Sequence, residues 1–561
     1  MIRRTLIAVC FFVATSSGFG QSTVKVQVDL QRNLGAFSPV YRWFGYDESD
    51  YTTTRNGKAL LHQLHDLTPA PVYVRAHFLL TSGNGKPELK WSSSNVYSED
   101  ANGKPVYNWT ILDGIFDAWV AAGVRPMVEL GFMPKALSSH PDPYHVPWPA
   151  KGVEEGWSFP PKNYGKWREL VRQVAAHMAQ RYGTAEVSTW YWEVWNEPDI
   201  FYWHGTEQQY NKLYDYAVAG VRDAIPTARV GGPATTGPMP GSRSAAFLKS
   251  FLHHCANDRS SATGGPIPLD FISFHAKGSP HFVSGHVQMG LNQELKNAAT
   301  GFAIVCSSSK FRDLPVILSE ADPEGCGACS PQQQPEDAYR NGTLYPAYTA
   351  AAMKALLDLA HRKQIHLIGF LTWAFEFEGQ PYFAGQRAVA THGIDKPELN
   401  FFRMAGLLGG ERVAADSSDA LPLETILSMG VRQHPEIDAL ATRAHGLAAV
   451  MLWNYQDNAV AGPGTEVRVS IRGIPRTVHR ALLLRYRIDE NHSNAFAVWK
   501  QMGSPQQPNA EQYARLQAAG QLQQEGSPAW VTVDQGQLHM RLHLPRESVA
   551  LLRFTWTGVE E

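Results

Sequence analysis

Residues 190–198 read Trp-Tyr-Trp-Glu-Val-Trp-Asn-Glu-Pro, an aromatic and apolar run that ends in polar residues and a proline. Aromatic and β-branched residues are typical of buried strands, and a proline is typical of a strand's end. Residues 164–182 before the run, and residues 208–225 after it, repeat apolar side chains at helical spacing. A strand between two helices predicts one unit of a parallel sheet.

Seven further runs of this kind recur along the chain, with helical segments between them. The eight runs occupy residues 41–45, 71–78, 125–133, 190–198, 228–234, 269–278, 314–323 and 367–379. Eight strand–helix units predict an α/β fold, namely a (β/α)8 TIM barrel over residues 41–410 with long loops. A doubly wound open sheet is the alternative, but the glycine-rich phosphate turn that usually marks it is missing from this sequence.

After residue 410, short alternating runs replace the strand–helix pattern. They occupy residues 446–454, 466–471, 481–488, 529–533 and 537–556. Alternating apolar and polar residues predict antiparallel strands with one buried face, so we expect residues 411–561 to form a β-sandwich. Residues 21–40 contain one more alternating run, with Val24, Val26, Val28 and Leu30 on one side. We expect this run to add a strand to the sandwich.

The first 20 residues are typical of an export signal. Arg3 and Arg4 precede an apolar run at residues 6–14, and small residues follow it up to Gly20. The run is too short to cross a bilayer core of about 30 Å. We therefore expect a signal peptide over residues 1–20 and a periplasmic or secreted mature protein without a membrane anchor. A buried N-terminal strand is the alternative interpretation.

Four cysteines follow that segment, namely Cys255, Cys306, Cys326 and Cys329. Cys326 and Cys329 form a single CxxC, a spacing that metal sites and redox pairs share. In an exported chain a structural disulfide is favoured, although the sequence leaves open which cysteines pair.

Composition excludes several classes of function. The 50 Lys and Arg nearly balance the 52 Asp and Glu, and no block is dense in Lys or Arg, so we expect no nucleic-acid surface. A hydrophobic fraction of 44% is enough for a large core and excludes global disorder. The sequence has neither an HExxH motif nor a carboxylate cage, so we expect no metal site and no cofactor. The oligomeric state stays open.

Two of the eight runs carry a glutamate near their carboxyl end, Glu197 in the fourth and Glu320 in the seventh. Active sites lie at the carboxyl ends of barrel strands, so the two carboxylates should face each other across the barrel mouth. Cleavage of a glycosidic bond needs such a pair, with one carboxyl protonated and the other ionised. Two charges about 5 Å apart at an effective dielectric near 20 repel by roughly 3 kcal/mol, which raises one pKa by about two units. The alternative is that both are surface residues at strand ends.

Strand parity adds a geometric prediction. Alternation places Asn196 and Glu197 on opposite faces, so both reach a substrate only if the strand bulges or ends there, as Pro198 indicates. Glu193 shares the parity of Glu197 but lies deeper in the strand. We therefore expect Glu193 to be a buried acid that needs an arginine or hydroxyl partner.

The motif from Trp195 to Asp199, Trp-Asn-Glu-Pro-Asp, resembles the acid/base motif of retaining barrel glycosidases. Together with Leu-Ser-Glu-Ala-Asp-Pro at residues 318–323 and Phe-His-Ala-Lys-Gly at residues 274–278, it resembles glycoside hydrolase family 39. That family contains β-xylosidases and α-L-iduronidases. The similarity runs from about Phe44 into the C-terminal region and includes Gly-Gly-Pro at 231–233 and Arg-Ala-His at 75–77.

The resemblance implies a retaining double displacement on an oligosaccharide or glycoside. Glu320 would be the nucleophile and Glu197 the acid/base. Asn196 would bind the sugar 2-hydroxyl, and Trp373 would be the sugar platform. The implied substrate-binding set is Asn196, His275, Lys277, Arg75, His77, Trp373 and Glu378. His275 and Trp373 could instead be core residues.

The choice of sugar follows from smaller features of this resemblance. Lys277 matches a lysine that iduronidases of the family use near the uronate carboxylate, but the iduronidase-like tryptophan after the nucleophile is absent. Glu324 adds a negative charge there, and residues 375–379, 393–397 and 487–496 resemble bacterial β-xylosidases. We therefore expect an exo-acting β-D-xylosidase that releases xylose from xylo-oligosaccharides, with Lys277 paired to a nearby carboxylate. An α-L-iduronidase, an α-L-arabinosidase and a non-catalytic carbohydrate-binding barrel are the alternatives.

The 16 tryptophans divide into two expected groups. Trp195, Trp203 and Trp373 follow strand ends, where a sugar ring would stack. Trp167 lies on the apolar stripe of a helix and is expected in the core.

Overall fold

The computed structural model describes residues 23–146, 153–154 and 156–557. The predicted signal peptide, residues 1–20, lies outside the described residues. The strands of the first half are β1 (Val24–Ala36), β2 (Trp43–Tyr46), β3 (Tyr73–Ala76), β4 (Tyr97–Glu99), β5 (Pro105–Tyr107), β6 (Arg125–Leu130), β7 (His145–Val146), β8 (Val153–Glu154), β9 (Tyr191–Val194), β10 (Arg229–Thr235), β11 (Phe271–Lys277), β12 (His281–Val283) and β13 (His286–Gln288). Those of the second half are β14 (Val316–Asp322), β15 (Leu367–Trp373), β16 (Ala390–Thr391), β17 (Ile394–Asp395), β18 (Glu411–Ser417), β19 (Glu436–Ala444), β20 (Leu447–Tyr455), β21 (Thr465–Arg472), β22 (Arg480–Ile488), β23 (Gln523–Gln524), β24 (Ala529–Thr532), β25 (Gln537–Leu544) and β26 (Ser548–Thr555).

Helices alternate with the strands over the first two thirds of the chain, and a few more follow in the last third. They are α1 (Arg55–His65), α2 (Thr110–Ala121), α3 (Tyr164–Tyr182), α4 (Thr184–Val187), α5 (Glu207–Ala224), α6 (Arg243–Asn257), α7 (Leu291–Ser307), α8 (Leu344–Lys363), α9 (Pro397–Gly406), α10 (Leu423–Met429), α11 (Ala495–Gln501) and α12 (Ala510–Gly520). Two 3₁₀ turns lie at Ser49–Thr53 and Pro335–Asn341. Among the described helices none is both long and apolar enough to span a bilayer.

Eight parallel strands close into a barrel in the order β2, β3, β6, β9, β10, β11, β14 and β15, with β15 paired back to β2. Each of the eight predicted runs overlaps one of these strands, so the TIM-barrel prediction is confirmed and the open sheet is excluded. Inward side chains fill the lower part of the barrel with one apolar cluster that includes Trp43, Tyr73, Met127, Tyr191 and Phe271. The barrel is therefore a packed core rather than a pore, as this fold requires.

Two residues further along several of these strands, the interior changes from apolar to charged. Arg75, Glu129 and Glu193 follow Tyr73, Met127 and Tyr191 with the same parity, and all three are fully buried. This layer of charge lies directly beneath the carboxyl ends of the strands, where the sequence places the active site.

A ten-stranded sheet forms the second unit, in the order β23, β22, β26, β20, β19, β18, β1, β21 and β25, with β24 also paired to β22. The sheet closes over one apolar core that includes Val26, Val450, Val469 and Leu552, from four different strands. The N-terminal strand β1 pairs with β18 antiparallel and with β21 parallel. A barrel with an accessory β-sandwich is therefore the observed architecture.

Two features of this region differ from the sequence prediction. The run at residues 537–556 is two strands, β25 and β26, which Pro545-Arg546-Glu547 separates. Residues 495–520 form helices α11 and α12 between two of the predicted strands of the sandwich, where no helix was predicted. Asn494 and Asn509 cap these helices by accepting from the backbone N–H groups of Ala497 and Gln512, which is the usual role of asparagine at a helix start.

Candidate active site

Glu320 lies at the end of strand β14, enclosed by positive charge. Its Oε1 accepts from Nη1 of Arg75 at 3.2 Å, and its Oε2 is 2.7 Å from Nζ of Lys277. The Nε2 atoms of His77 and His275 lie 3.6 and 3.7 Å from Oε1. Burial by itself would raise the pKa of Glu320, but these four neighbours together hold it well below its usual range. Glu320 is therefore ionised at neutral pH.

Glu197 follows strand β9, which ends at Val194 as its sequence predicts. Trp195 and Glu197 both have left-handed backbone conformations, with φ of 72° and 44°. Such residues cost of order 1–3 kcal/mol each and persist where the surroundings fix them; the backbone N–H of Glu197 donates to the carbonyl of Ala234 at 2.9 Å. This turn breaks the strand alternation and brings Asn196 and Glu197 to the same cavity.

His275 links the two glutamates. Its Nδ1 is 2.8 Å from Oε1 of Glu197, while Nε2 faces Glu320. One oxygen of each glutamate and one ring nitrogen of His275 lie within 4.8 Å of one another. The same three groups could in principle surround a cation, but Arg75 and Lys277 already neutralise Glu320, so the donor set fits proton transfer better than a divalent ion.

Arg75 fixes the floor of the site. The fully buried guanidinium donates from Nε to Glu193 at 2.6 Å and from Nη2 to Oδ1 of Asn196 at 3.0 Å, and Nη2 lies 2.9 Å from Glu129. Its remaining nitrogen, Nη1, reaches Glu320. The structure thus supplies the arginine partner that the parity of Glu193 predicted. Arg75 does not line the cavity, so it orients Glu320 and Asn196 from below.

Two acidic side chains, Glu129 and Asp47, position His77 beside the nucleophile. Nδ1 of His77 is 2.5 Å from Glu129, and Nε2 is 3.4 Å from Asp47. Asp47 also pairs with Nζ of Lys90 at 2.9 Å. Burial alone would raise the pKa of Asp47, but Lys90 and His77 lower it below the usual value. Asp47 and Lys90 were not singled out in the sequence, although Asp47 follows the end of strand β2 as Glu197 follows β9.

Lys277 bridges two carboxylates at the end of strand β11. Its Nζ is 2.7 Å from Glu320 and 2.7 Å from Asp322, the next acid along β14. Burial would lower the pKa of Lys277, but Asp322 and Glu320 raise it above the usual value. Oδ1 of Asp322 accepts from the backbone N–H of Trp373 at 2.8 Å, so this chain of contacts also positions the tryptophan.

A cavity of about 220 Å³ opens above these groups. Its inner walls are formed by the two glutamates together with Asp47, His77, Lys90, Asn196, Lys277 and Trp373. Its outer walls are Ile200, Phe201, Tyr202, Gly325 and Cys326. The Trp373 ring fits beside strand β2 because Gly45 has no side chain; a Cβ there would lie 2.3 Å from the ring.

Other predicted residues lie elsewhere. Trp195 and Trp203 are buried in the core and contact each other edge to face, so the expectation that they stack on sugar is wrong. Trp167 is buried, as its helix stripe predicts. Glu378 accepts from the Thr54 hydroxyl at 2.7 Å and does not line the cavity. The predicted contact of Glu378 with substrate is therefore corrected.

Glu324 is also not the free negative charge near the site that the sequence suggested. It is buried against two arginines, at 2.5 Å from Nη2 of Arg340 and 2.5 Å from Nη1 of Arg387. These contacts anchor the loop that follows the nucleophile. The same loop carries the disulfide Cys326–Cys329, while Cys255 and Cys306 are free thiols.

Comparison with known proteins agrees with this geometry. Residues 24–537 match the family model "Glycosyl hydrolases family 39". A β-xylosidase of Geobacillus stearothermophilus is 29% identical over 499 residues, which cover 86% of this chain and 85% of the relative. An α-L-iduronidase of Mus musculus is 26% identical over 567 residues, which cover 95% of this chain and 81% of the relative.

A solved structure shares the fold. The bacterial orthologue of human α-L-iduronidase superposes with a TM-score of 0.75 at 19% sequence identity, covering 96% of this chain and 84% of that one. Since the family model spans both the barrel and most of the sandwich, the chain belongs to glycosyl hydrolases family 39 and is a glycoside hydrolase.

Proposed function

We propose that the protein is a retaining exo-glycosidase that acts on β-D-xylosides. The observation that carries the retaining mechanism is the short separation of the two catalytic carboxylates, which bring one oxygen each within 4.8 Å. Retaining enzymes hold their carboxyl groups about 5–5.5 Å apart, whereas inverting enzymes need about 6.5–9.5 Å to admit a water molecule.

In the first step, a carboxylate oxygen of Glu320 attacks the anomeric carbon as the bond to the leaving oxygen breaks. Glu197 gives its proton to that oxygen, so the aglycone departs as a neutral alcohol. Because Arg75 and Lys277 keep Glu320 ionised, the nucleophile is ready without prior deprotonation. The product of this step is a glycosyl ester of Glu320.

In the second step, water attacks the anomeric carbon from the face that the aglycone has left. Glu197, now a carboxylate, takes the proton of that water, and the ester bond to Glu320 breaks. Asn196 has its Oδ1 occupied by Arg75, so its amide N–H groups are left to donate to the sugar 2-hydroxyl. Two inversions return the anomeric carbon to its original configuration.

The size of the cavity supports exo action. A volume of about 220 Å³ is below the range of about 300–1,000 Å³ typical of pockets that enclose drug-sized ligands. It suits a single sugar ring rather than a long chain. Trp373 lies on its inner wall, and the outer walls carry Phe201 and Tyr202, where the leaving sugar would sit.

The two lysines of the cavity are already paired with carboxylates, which favours an uncharged sugar. Lys277 contacts two carboxylates and Lys90 contacts Asp47, so both ammonium groups already face negative charge. A uronate would have to compete with these buried partners. The β-xylosidase relative at 29% identity supports the same choice.

An α-L-iduronide is the second candidate substrate. Lys90 and Lys277 both line the cavity, and two cations in one small site would suit a carboxylate on the sugar. The iduronidase relative covers 95% of this chain.

Hydrolysis of nitrophenyl glycosides by the purified protein tests these alternatives. We expect turnover of the β-D-xyloside, with the α-L-arabinoside and the iduronide weaker, and proton NMR should show β-xylose as the first product. A faster iduronide would overturn the choice of sugar, and α-xylose as the first product would overturn the retaining mechanism. A protein without activity on any glycoside would support the carbohydrate-binding barrel instead.

We also propose that the chain is exported. The disulfide beside the active site supports this, since such bonds persist in oxidising compartments. Cell fractionation and N-terminal sequencing of the mature protein test it, with residue 21 expected as the new terminus. An intact N-terminus in the cytoplasmic fraction would contradict export.

A further inference from the structure

A second cavity, larger than the catalytic one, lies between helix α1, the loop after strand β15 and helix α12. Its volume is about 470 Å³, compared with about 220 Å³ for the catalytic cavity. We call it the α1–α12 cleft; its walls include Asn56, Gln63, Glu376, Tyr382, His392 and Tyr513. This volume falls within the range of about 300–1,000 Å³ that is typical of small-molecule sites.

A helical segment of the sandwich unit forms one wall of the cleft. Residues 495–520 leave the ten-stranded sheet, form α11 and α12, and return to the sheet at β23. Asn400 holds the end of α12 by donating from Nδ2 to the carbonyl of Gly520 at 2.7 Å. A Cβ at Gly520 would lie 2.7 Å from the carbonyl oxygen of Asp395, so the approach is as close as glycine allows. The wall of the cleft is therefore fixed in place.

The cleft contains a buried acid that no contact fully satisfies. Glu376 is only 3% exposed, and its Oε1 accepts from the backbone N–H of Gly393 at 2.7 Å. Its Oε2 is buried and has no hydrogen-bond partner among the described residues. An absent ligand is one explanation for a buried polar atom without a partner, and here the atom belongs to a wall of a cavity large enough to hold one.

The ionisation of this acid suits a hydroxyl group. Burial raises the pKa of Glu376 to about 7. Near neutral pH the carboxyl is therefore present in both forms, and it can donate as well as accept a hydrogen bond. A sugar hydroxyl has the same double capacity.

The remaining walls are mainly aromatic and amide groups, together with Arg55 and a few aliphatic side chains. The rings of Tyr382 and His392 lie face to face, with centroids 3.9 Å apart and an interplanar angle of 13°. The Tyr513 hydroxyl donates to the carbonyl of His392 at 2.8 Å, which ties α12 to the loop. Asn56 and Gln63 add amide donors and acceptors from α1. Flat rings beside groups that donate and accept hydrogen bonds suit a carbohydrate, and the guanidinium of Arg55 can donate to sugar hydroxyls as well.

We propose that the α1–α12 cleft is a second binding site for a neutral oligosaccharide, separate from the catalytic cavity. The choice of a xylo-oligosaccharide as its ligand rests on the proposed function. The two sites share one loop, because Trp373 lines the catalytic cavity and Glu376 lines the cleft three residues later. Phe375 lies between them and stacks on Tyr46, with centroids 4.0 Å apart.

Calorimetric titration of the full-length Glu320→Gln variant with xylobiose tests this site, since that variant should bind without hydrolysis. We expect two sites per chain. Ala59, which lines the cleft from an exposed position on α1, should accept a tryptophan that fills the space. Glu320→Gln/Ala59→Trp should therefore bind one equivalent. Glu320→Gln/Lys58→Trp is the matched control, because Lys58 neighbours Ala59 on the same helix and does not line the cleft, and it should keep two.

A second pair of variants guards against misfolding. Tyr513→Phe removes the hydroxyl that ties α12 to the loop. The matched control is Tyr164→Phe on α3, which removes another hydrogen bond from a tyrosine hydroxyl to a backbone carbonyl and does not line the cleft. In the Glu320→Gln background, we expect at least threefold weaker binding at the second site for Tyr513→Phe and no change for Tyr164→Phe. One equivalent bound by both tryptophan variants and by their parent would overturn the cleft site. Hydrolysis of xylosides by the wild-type protein is measured separately, so loss of the cleft site and failure of the proposed function remain distinguishable.

Discussion

The ends of the fourth and seventh barrel strands carry the same side chain in opposite surroundings. Glu320 on β14 is 7% exposed and touches the guanidinium of Arg75 and the ammonium of Lys277. Glu197 after β9 is 15% exposed, and among the described residues its one ionisable hydrogen-bond partner is the imidazole of His275. The two side chains are chemically identical. Their different roles, as nucleophile and as acid/base, therefore come from the groups that neighbouring strands place around them.

His275 makes this contrast sharper because it faces both residues. Its Nδ1 bonds to Glu197, and its Nε2 lies 3.7 Å from Glu320. When Glu197 has given up its proton, the imidazole can stabilise the new carboxylate. The acid/base therefore sits beside an imidazole, and the nucleophile sits beside a guanidinium and an ammonium group.

Replacing the nucleophile should have the largest effect. Glu320→Ala removes the group that forms the covalent intermediate, so we expect kcat to fall by about 10⁴-fold or more on every substrate. Added azide should restore turnover and yield an α-glycosyl azide, since azide would attack from the vacated face. Glu378→Ala is the control, because Glu378 lies outside the cavity, and it should change kcat by less than about threefold. Comparable losses in both variants would contradict the assignment.

Replacing the acid/base should give a loss that depends on the leaving group. Glu197→Ala should lower kcat/KM by about 10²–10⁴-fold for xylobiose, whose alcohol needs protonation. For a dinitrophenyl xyloside the first step should remain within about tenfold of wild type, because that leaving group departs without a proton. Azide should now yield the β-azide. Equal losses on both substrates would remove the distinction between the two strand ends.

Removing one of the cations that contact Glu320 should make the electrostatic surroundings of the two glutamates more alike. Lys277→Met takes away a positive charge 2.7 Å from Glu320, so the pKa of Glu320 should rise. Activity requires ionised Glu320 and is lost as pH falls through that pKa. The acidic limb of the kcat/KM profile should therefore move to higher pH. Lys58→Met, at an exposed position of α1, is the control, and an unchanged acidic limb in Lys277→Met would contradict this role.

These contrasts also mark the limit of what the sequence could predict. The eight strands and both glutamates could be located, because strand–helix alternation and strand-end motifs are local features. The buried acid Glu193 was predicted from parity, yet its partner Arg75 lies 118 positions away on β3. Contacts of that range follow from barrel closure, which no local pattern encodes.

The same reason explains the residues that were missed or misplaced. Lys90 belongs to the long loop after β3 and reaches Asp47 only through tertiary packing. Trp195 and Glu378 lie close in sequence to functional residues but point elsewhere, since a left-handed turn at Trp195 and a contact with Thr54 redirect them. Helices α11 and α12 were missed because a predicted β region gave no reason to look for helical spacing there.

A substitution on the side of the cavity where the aglycone leaves should have a smaller effect on catalysis. Phe201 is 39% exposed and lies four residues after Glu197, so a leaving sugar would stack on its ring. Phe201→Ala should raise KM for xylobiose by about 3–10-fold, in line with about 0.5–1.5 kcal/mol for an aromatic contact. Methyl xyloside, which has no second ring, should be unaffected. Phe282→Ala, at a 50% exposed position on β12, is the control; equal effects of the two variants would refute the stacking role.

The smallest effect should come from the disulfide, although Cys326 lines the cavity. The loop that it closes is held independently: Arg340 donates to the carbonyls of Cys326 and Cys329 at 2.7 and 2.6 Å, and the backbone N–H of Arg387 donates to the carbonyl of Gly327 at 2.8 Å. Cys326→Ser/Cys329→Ser should therefore keep kcat and KM within about twofold of wild type. The free energy of unfolding should fall by about 2 kcal/mol, because a four-residue loop constrains the unfolded chain only weakly. A tenfold loss of kcat in this double variant, with the fold intact by circular dichroism, would show that the covalent bond and not the arginine pair positions the loop beside Glu320.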